Sequence, residues 1–128
     1  MTDIDKSLVD RLLLAASENP RLRQNYDLRT SGEDGGQRML NALMPGTIVP
    51  VHRHPRSNES VLLLQGRIDE VICDAQGREV ERHHLDPSAG KFGCIVPAGE
   101  WHTVEVLEPS VIFEAKDGRY GEDGSETL

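Results

Sequence analysis

Most of the chain after Pro20 alternates short runs of β-forming residues with turns that contain glycine or proline, and this pattern limits the fold more than any other feature. Glycine permits positive φ and proline fixes φ near the turn value, so pairs such as Pro45-Gly46 and Glu108-Pro109 end the runs. Many short strands at regular spacing favour an all-β sandwich or small barrel. The predicted strands are residues 38–43, 48–51, 60–64, 68–73, 92–96, 103–107 and 110–115.

One segment before these runs has helical periodicity. Leu8, Leu12 and Ala15 recur at three- and four-residue spacing and Pro20 stops the pattern, which predicts an α-helix over residues 5–19. A chain of 128 residues is long enough to bury a core without disulfide or metal staples. We therefore predict a single domain, 1–128. Its parts are an N-terminal helical segment at 1–19, a β-barrel at 20–120 and an acidic mobile tail at 121–128.

The charge balance argues against a nucleic-acid partner. The chain has 14 Lys and Arg against 22 Asp and Glu, a net charge of −8, and no basic stripe for phosphates. The longest apolar run, residues 12–16, is far shorter than the roughly 20 residues that span a bilayer, so no membrane partner is expected. The first residues do not resemble a secretory leader, which predicts a cytoplasmic protein with Cys73 and Cys94 as reduced thiols.

Three of the five histidines lie in two places that the strand pattern brings together. His52 and His54 are two residues apart, so their side chains share one face of an extended chain, and Glu59 opens the next strand. His102 follows a tight turn before another strand. Imidazole and carboxylate donors together suit a divalent transition metal, with Fe, Mn, Ni and Zn all left open. The lack of thiolate ligands argues against a closed structural zinc site.

The spacing of these residues resembles the two sequence motifs of the cupin superfamily. The first motif is matched at every fixed position by Gly46-x5-His52-x-His54-x4-Glu59-x6-Gly66, and the centre of the second by Pro97-x-Gly99-x2-His102. The second motif departs at its ends, where Lys91 and Val106 replace the expected glycine and asparagine. The resemblance implies a cupin double-stranded β-helix, or jelly-roll, barrel with one metal ion held by the three histidines and the glutamate.

Four further stretches make the chain similar to the WbuC-type cupin metalloproteins, small bacterial proteins named from O-antigen gene clusters. These stretches are residues 20–25, 37–43, 92–97 and 113–120. The resemblance implies a link to surface-polysaccharide (O-antigen) biosynthesis. It names no reaction, because a fold and a metal do not fix a function.

Five side chains outside the motifs are candidates for contact with a ligand. Glu114 and Lys116 share parity near the end of the last predicted strand, so they form either a buried ion pair or a catalytic pair. Arg38 and Asn41 lie in an apolar run with opposite parity, and both face the interior only if the strand has a bulge. We interpret Arg38, Asn41 and Tyr120 as candidate substrate-binding residues.

Three functions are consistent with these residues. The first is a metal-dependent isomerase or epimerase of a sugar or nucleotide sugar, in which the metal is a Lewis acid and Glu114, tuned by Lys116, moves the proton. The alternatives are an Fe(II) dioxygenase and a non-catalytic module that binds a metal or small ligand. In each case the partner is a small polar metabolite. Exposed edge strands of a jelly roll also predict a homodimer.

Overall fold

The structure, a computed structural model, describes residues 1–128 and contains one α-helix followed by eight β-strands. Helix α1 spans Lys6–Glu18, and no helix is long and apolar enough to cross a membrane. This arrangement agrees with the predicted all-β class with an N-terminal helix. The strands are β1 (Arg23–Asp27), β2 (Gly36–Leu43), β3 (His52–Arg53), β4 (Glu59–Cys73), β5 (Glu79–Leu85), β6 (Gly93–Val96), β7 (Trp101–Asp117) and β8 (Glu126–Thr127).

The two long strands, β4 and β7, form the centre of the barrel. They pair antiparallel along nearly their whole lengths, from Glu59 opposite Lys116 to Cys73 opposite Trp101. On its other side β7 pairs first with β3 and then with β2, while β4 pairs first with β6 and then with β5. Because each long strand changes partners along its length, a single set of strands wraps around a common interior.

The change of partners in β4 occurs at Gly66. The register with β7 shifts on both sides of this residue, and its φ is +103°, which only glycine adopts without strain. A Cβ atom at this position would lie 2.5 Å from the carbonyl oxygen of Pro109 and would also overlap Ser110. The glycine of the predicted motif is thus required by the close approach of two strands.

Replacing Gly66 by alanine is expected to lower the free energy of unfolding by more than about 2 kcal/mol, because backbone atoms must move to admit the methyl group. Urea unfolding followed by circular dichroism measures this change. Gly32 is the matched control, since it has no positive φ and a methyl group added there would meet no atom within 4 Å. Gly32→Ala is expected to change stability by less than about 0.5 kcal/mol, and equal losses in both variants would contradict the strand-crossing interpretation.

Two apolar clusters stabilise the barrel. One lies between α1 and the outer face of the sheet, where Leu40, Ala42 and Val111 meet Leu8, Val9, Leu12 and Ala16. The Asp5 side chain begins the helix by accepting a hydrogen bond from the backbone N–H of Leu8 at 2.9 Å. The second cluster lies inside the barrel and consists of Leu43, Val61, Leu63, Ile68, Leu85 and Ile112.

Several elements differ from the sequence-based predictions. Residues 48–51 form no strand, because Pro50 has no N–H for a ladder, and pairing starts only at β3. Strands β1 and β5 were not predicted, since both are mostly polar and lack an apolar alternation. The predicted mobile tail, residues 121–128, instead folds back, and its strand β8 pairs with β3. The homodimer stays a prediction.

Candidate metal centre

Four side chains from three strands converge in the barrel. His52 in β3 lies directly opposite His102 in β7, and their ring centroids are 4.2 Å apart. His54 follows β3, and Glu59 is the first residue of β4. One donor atom from each of the four residues lies within 4.8 Å of all the others. The prediction that these residues come together is confirmed.

The backbone fixes the orientation of two of the imidazole rings. Nδ1 of His52 lies 2.8 Å from the carbonyl oxygen of Pro50, and Nδ1 of His102 lies 3.0 Å from that of Glu100. A carbonyl oxygen only accepts, so each ring carries its proton on Nδ1. The Nε2 atoms are left with a free lone pair, which is the form that binds a metal.

Ser125 in the C-terminal segment orients the third ring. Its hydroxyl donates to Asp123 at 2.6 Å and lies 2.8 Å from Nδ1 of His54, so it accepts the proton of the ring. The other carboxylate oxygen of Asp123 accepts a hydrogen bond from Gln37 at 2.8 Å. Sequence analysis missed this chain of contacts because the segment was interpreted as a tail. Its Asp-x-Ser turn, at Asp123 and Ser125, was the available signal.

The charge state of the cluster suits a divalent cation. Burial, reinforced by the charge of His102, lowers the pKa of His52 to about 4, and burial also lowers the pKa of His102. Burial by itself would raise the pKa of Glu59, but its contact with His54 and the charge of Lys116 lower the value to about 2. At neutral pH His52 and His102 are therefore neutral and Glu59 is charged.

Two of the donor atoms lack any hydrogen-bond partner. Oε2 of Glu59 and Nε2 of His102 are both buried and unpaired. Oε2 of Glu59 also lies 2.8 Å from Nε2 of His54. Converging lone pairs of this kind are costly to bury without a cation between them. The residues present therefore fit a divalent transition metal.

A polar cavity of about 580 Å³ lies beside the cluster, and His52 and His54 form part of its wall. Only three of its 19 lining residues are apolar. Arg38, predicted to bind substrate, is not among the lining residues, since it pairs instead with Asp34 at 2.7 Å. Alternation along β2 turns Asn41 inward and Arg38 away. Of the other predicted candidates, Asn41, Glu114, Lys116 and Tyr120 all line this cavity.

Glu114 and Lys116 do not form the ion pair considered in the sequence analysis. Glu114 accepts a hydrogen bond from the Asn41 amide at 3.2 Å, and desolvation together with the charge of Glu59 raises its pKa to about 8. Nζ of Lys116 lies 3.8 Å from the carboxylates of both Glu59 and Asp123. The two residues therefore line the same wall without pairing with each other.

Glu70 is a buried residue that sequence analysis missed. Its side chain is 1% exposed and neither carboxylate oxygen has a hydrogen-bond partner. It lines a smaller cavity of about 130 Å³ together with Glu59 and Glu114, and burial with the charges of these two residues raises its pKa well above the ordinary value. The available signal was strand alternation. Glu70 lies on the same face of its strand as Ile68 and Ile72, and both of these residues are buried.

The raised pKa of Glu114 predicts a pH-dependent stability for the metal-free protein. The native state keeps a proton on Glu114 up to about pH 8, whereas the unfolded chain releases it near the ordinary glutamate pKa of 4.5. Because the native state binds more protons in this range, the free energy of unfolding falls as pH rises. Glu114→Gln is expected to weaken this slope and to be more stable than the original protein by at least about 1 kcal/mol at pH 8.

Urea unfolding in the presence of a chelator, between about pH 5 and about pH 8, measures the slope. Glu18→Gln removes an exposed carboxylate of α1 and is the matched control. It is expected to keep the slope of the original protein. A Glu114→Gln protein with an unchanged slope would show that this carboxyl is ionised in the folded state.

Comparison with known proteins places the chain among domains without an assigned activity. A family model described as "Domain of unknown function (DUF6016)" matches residues 4–85. A search of curated proteins finds no significant match. Similarity at the sequence level therefore names no substrate and no reaction.

Solved structures establish the fold. An oxalate oxidase in complex with the substrate analogue glycolate has a TM-score of 0.66 at 17% identity over 88% of this chain and 58% of its own. A cupin 2 domain-containing protein from Halorhodospira halophila gives 0.64 at 14% identity, over 83% of this chain and 70% of its own. Oxalate decarboxylase from Bacillus subtilis has a TM-score of 0.61 at 18% identity, over 83% of this chain and 27% of its own. The barrel therefore has the jelly-roll fold of these structures, as predicted, and the chain spans between 27% and 70% of their lengths.

Proposed function

Because this chain belongs to the DUF6016 family of domains of unknown function, we propose its function from the site alone: a metal-dependent isomerase or epimerase of a small, oxygen-rich metabolite. One observation carries this proposal. Glu114 and Lys116 line the same polar cavity as His52 and His54. A module that only binds a metal or a ligand needs no proton-transfer group at this place, whereas an isomerase does.

The metal is held by His52, His54, Glu59 and His102. When bound, it supplies a Lewis acid that polarises a carbonyl or a pair of hydroxyl oxygens of the ligand. His52 and His102 present neutral donors to it, because burial lowers the pKa of both imidazoles. The carbonyls of Pro50 and Glu100 orient these two rings, and Ser125 orients the ring of His54.

Glu114 is the proposed catalytic residue. In the metal-free protein, burial together with the charge of Glu59 raises the pKa of Glu114 to about 8, and a pKa near neutral pH suits proton transfer. Its carboxylate form accepts a proton from the carbon next to the substrate carbonyl. In an isomerisation, the carboxyl then returns that proton to the former carbonyl carbon, while the hydroxyl proton of the first carbon passes to the former carbonyl oxygen. In an epimerisation, the proton returns to the opposite face of the same carbon. Asn41 holds one oxygen of this carboxyl in place, and Lys116 lies on the same wall and stabilises negative charge.

The proposed ligand is a sugar or a nucleotide sugar. Five side-chain amides line the cavity, and amides offer both donors and acceptors to hydroxyl groups. They belong to Asn19, Gln24, Asn25, Gln37 and Asn41. The similarity of four stretches to WbuC-type cupins supports the same ligand class and a place in O-antigen biosynthesis. A cavity of about 580 Å³ is within the usual range for small-molecule sites.

Two measurements test the proposal. Elemental analysis of protein purified without a metal-binding tag is expected to find about one transition metal per chain. Metal-loaded protein in deuterium oxide is then incubated with a panel of aldoses, ketoses and sugar nucleotides. Loss of a carbon-bound proton signal is expected for at least one of them. Glu114→Gln is expected to retain the metal and to lose this exchange by more than about 100-fold, as for removal of an acid–base group.

Two outcomes would overturn the proposal. Oxygen consumption with Fe(II)-loaded protein, in the absence of proton exchange, would identify the dioxygenase alternative. A loaded protein that catalyses neither reaction with any member of the panel would favour the binding module. Undiminished exchange in Glu114→Gln would remove this residue from the mechanism.

A further inference from the structure

Arg21 and Arg23 line the polar cavity and have no carboxylate partner. Arg21 precedes β1 and Arg23 is its first residue. Neither guanidinium forms an ion pair within 4.0 Å or a side-chain hydrogen bond, although the chain has an excess of acidic residues. By contrast, most other arginines face a carboxylate, namely Arg29, Arg38, Arg53, Arg67, Arg78, Arg82 and Arg119.

Arg23 lines both cavities of the site. Its Nε atom is buried and has no hydrogen-bond partner, a costly state for a charged donor. The residue lines the large cavity and also the smaller one that contains Glu59 and His102. Glu114 shares both cavities, but its hydrogen bond is to Asn41 and it makes no ion pair with Arg23.

The backbone between the two arginines is strained. Leu22 has a φ of +57° and is the one residue other than glycine with a positive φ. It is held there by hydrogen bonds from its N–H to Asn19 at 2.9 Å and from the N–H of Met44 to its carbonyl at 3.0 Å. A strained backbone conformation of this kind persists only where surrounding contacts hold the residue in place, and such residues often lie at ligand sites. Here the strain sits between the two unpaired cations.

We propose that Arg21 and Arg23 form an anion subsite, so that the ligand of this cavity carries a carboxylate or phosphate group besides the oxygens that face the metal cluster. This inference rests on the proposed function for the remainder of the ligand. Guanidinium groups bind both anions through paired hydrogen bonds, and burial strengthens these bonds. The ligand class is then an anionic sugar derivative, either a sugar acid or a sugar phosphate.

The first experiment uses metal-free protein with a chelator present, so that an anion cannot bind through a metal. The guanidinium signals of isotope-labelled protein are followed by nuclear magnetic resonance during titration with inorganic phosphate, D-glucuronate or D-glucose. Saturable shifts of the Arg21 and Arg23 signals are expected with phosphate or glucuronate and not with glucose. Which of the two anions binds more tightly distinguishes a sugar phosphate from a sugar acid.

Arg23→Gln is expected to weaken binding of the preferred anion at least tenfold, and Arg21→Gln provides a second variant at an exposed position. Arg11→Gln is the matched control, because Arg11 is exposed on α1 and also lacks an ion-pair partner. It is expected to bind the anion as the original protein does. No saturable shift with either anion, or unchanged affinity in both Arg21→Gln and Arg23→Gln, would overturn the subsite.

Metal content separates this inference from the proposed function. Arg23→Gln is expected to bind about one metal per chain, because the residue is not a member of the donor cluster. If the original protein binds the anion but no metal, the anion subsite stands and the metal-dependent function fails. If it binds the metal but no anion, the subsite fails and the metal centre stands.

Discussion

Replacing His102 by alanine is expected to weaken binding of the metal by more than about 100-fold, beyond the 10- to 100-fold loss typical of removing an outer partner of a ligand. The side chain is 1% exposed, and its Nε2 is buried without a hydrogen-bond partner. Its ring is held in place by the carbonyl of Glu100. Metal content by elemental analysis and affinity by competition with a chelator measure the loss.

The matched control is His83→Ala. The side chain of His83 is 49% exposed and lies in β5, outside the donor cluster. This variant is expected to bind metal as the original protein does. Because loss of a buried ring also removes packing, Glu59→Gln is the companion variant, which keeps the shape and removes the charge. Undiminished metal in both His102→Ala and Glu59→Gln would refute the assignment of the centre.

Removing the hydroxyl of Ser125 is expected to weaken metal binding by roughly 10- to 100-fold, the range found for groups that orient a ligand. This hydroxyl lies 2.8 Å from Nδ1 of His54 and is itself held by Asp123. Without it, the ring of His54 loses the acceptor that sets its tautomer and orientation. Deleting residues 121–128 is expected to have at least as large an effect, since Asp123 is removed as well.

Ser88→Ala is a close control for Ser125→Ala. Both serine hydroxyls donate to the aspartate two residues earlier, at 2.7 Å for Ser88 and 2.6 Å for Ser125. Ser88 lies beside no metal ligand, so its variant is expected to retain full affinity. Linkage requires the reciprocal effect, that bound metal slows hydrogen exchange in residues 121–128. Equal affinities of Ser125→Ala and Ser88→Ala would show that the C-terminal segment only covers the barrel.

Three members of the metal cluster were predictable because their geometry is set over short distances along the chain, and His102 was predictable from its spacing to Pro97 and Gly99. His52 and His54 share a face through strand alternation, and Glu59 follows within one turn. Gly66 marked the point at which two strands approach too closely for a side chain. Strands β1 and β5 were not predictable in this way, because their polar residues carry no apolar alternation to signal pairing.

The role of Arg38 shows the limit of a pattern within one strand. Strand alternation predicted that Arg38 and Asn41 lie on opposite faces of the strand, but it did not indicate which face lines the cavity. In the structure, Asn41 donates a hydrogen bond to Glu114 of β7, so its side of β2 faces the cavity. Arg38 lies on the other side and pairs with Asp34. The same holds for Glu114 and Lys116, which share a wall without pairing with each other, because Asn41 and Asp123 contact them from other parts of the chain.

The order of residues was sufficient for the all-β class, the N-terminal helix and the donor set of His52, His54, Glu59 and His102, since these follow from local periodicity and motif spacing. The folded chain was needed to reveal the partners of that set. Ser125 reaches His54 from 71 residues away, and Glu70 and Arg23 reach the smaller cavity from separate strands. Whether a buried polar group is paired depends on such distant contacts, which periodicity along one strand does not encode.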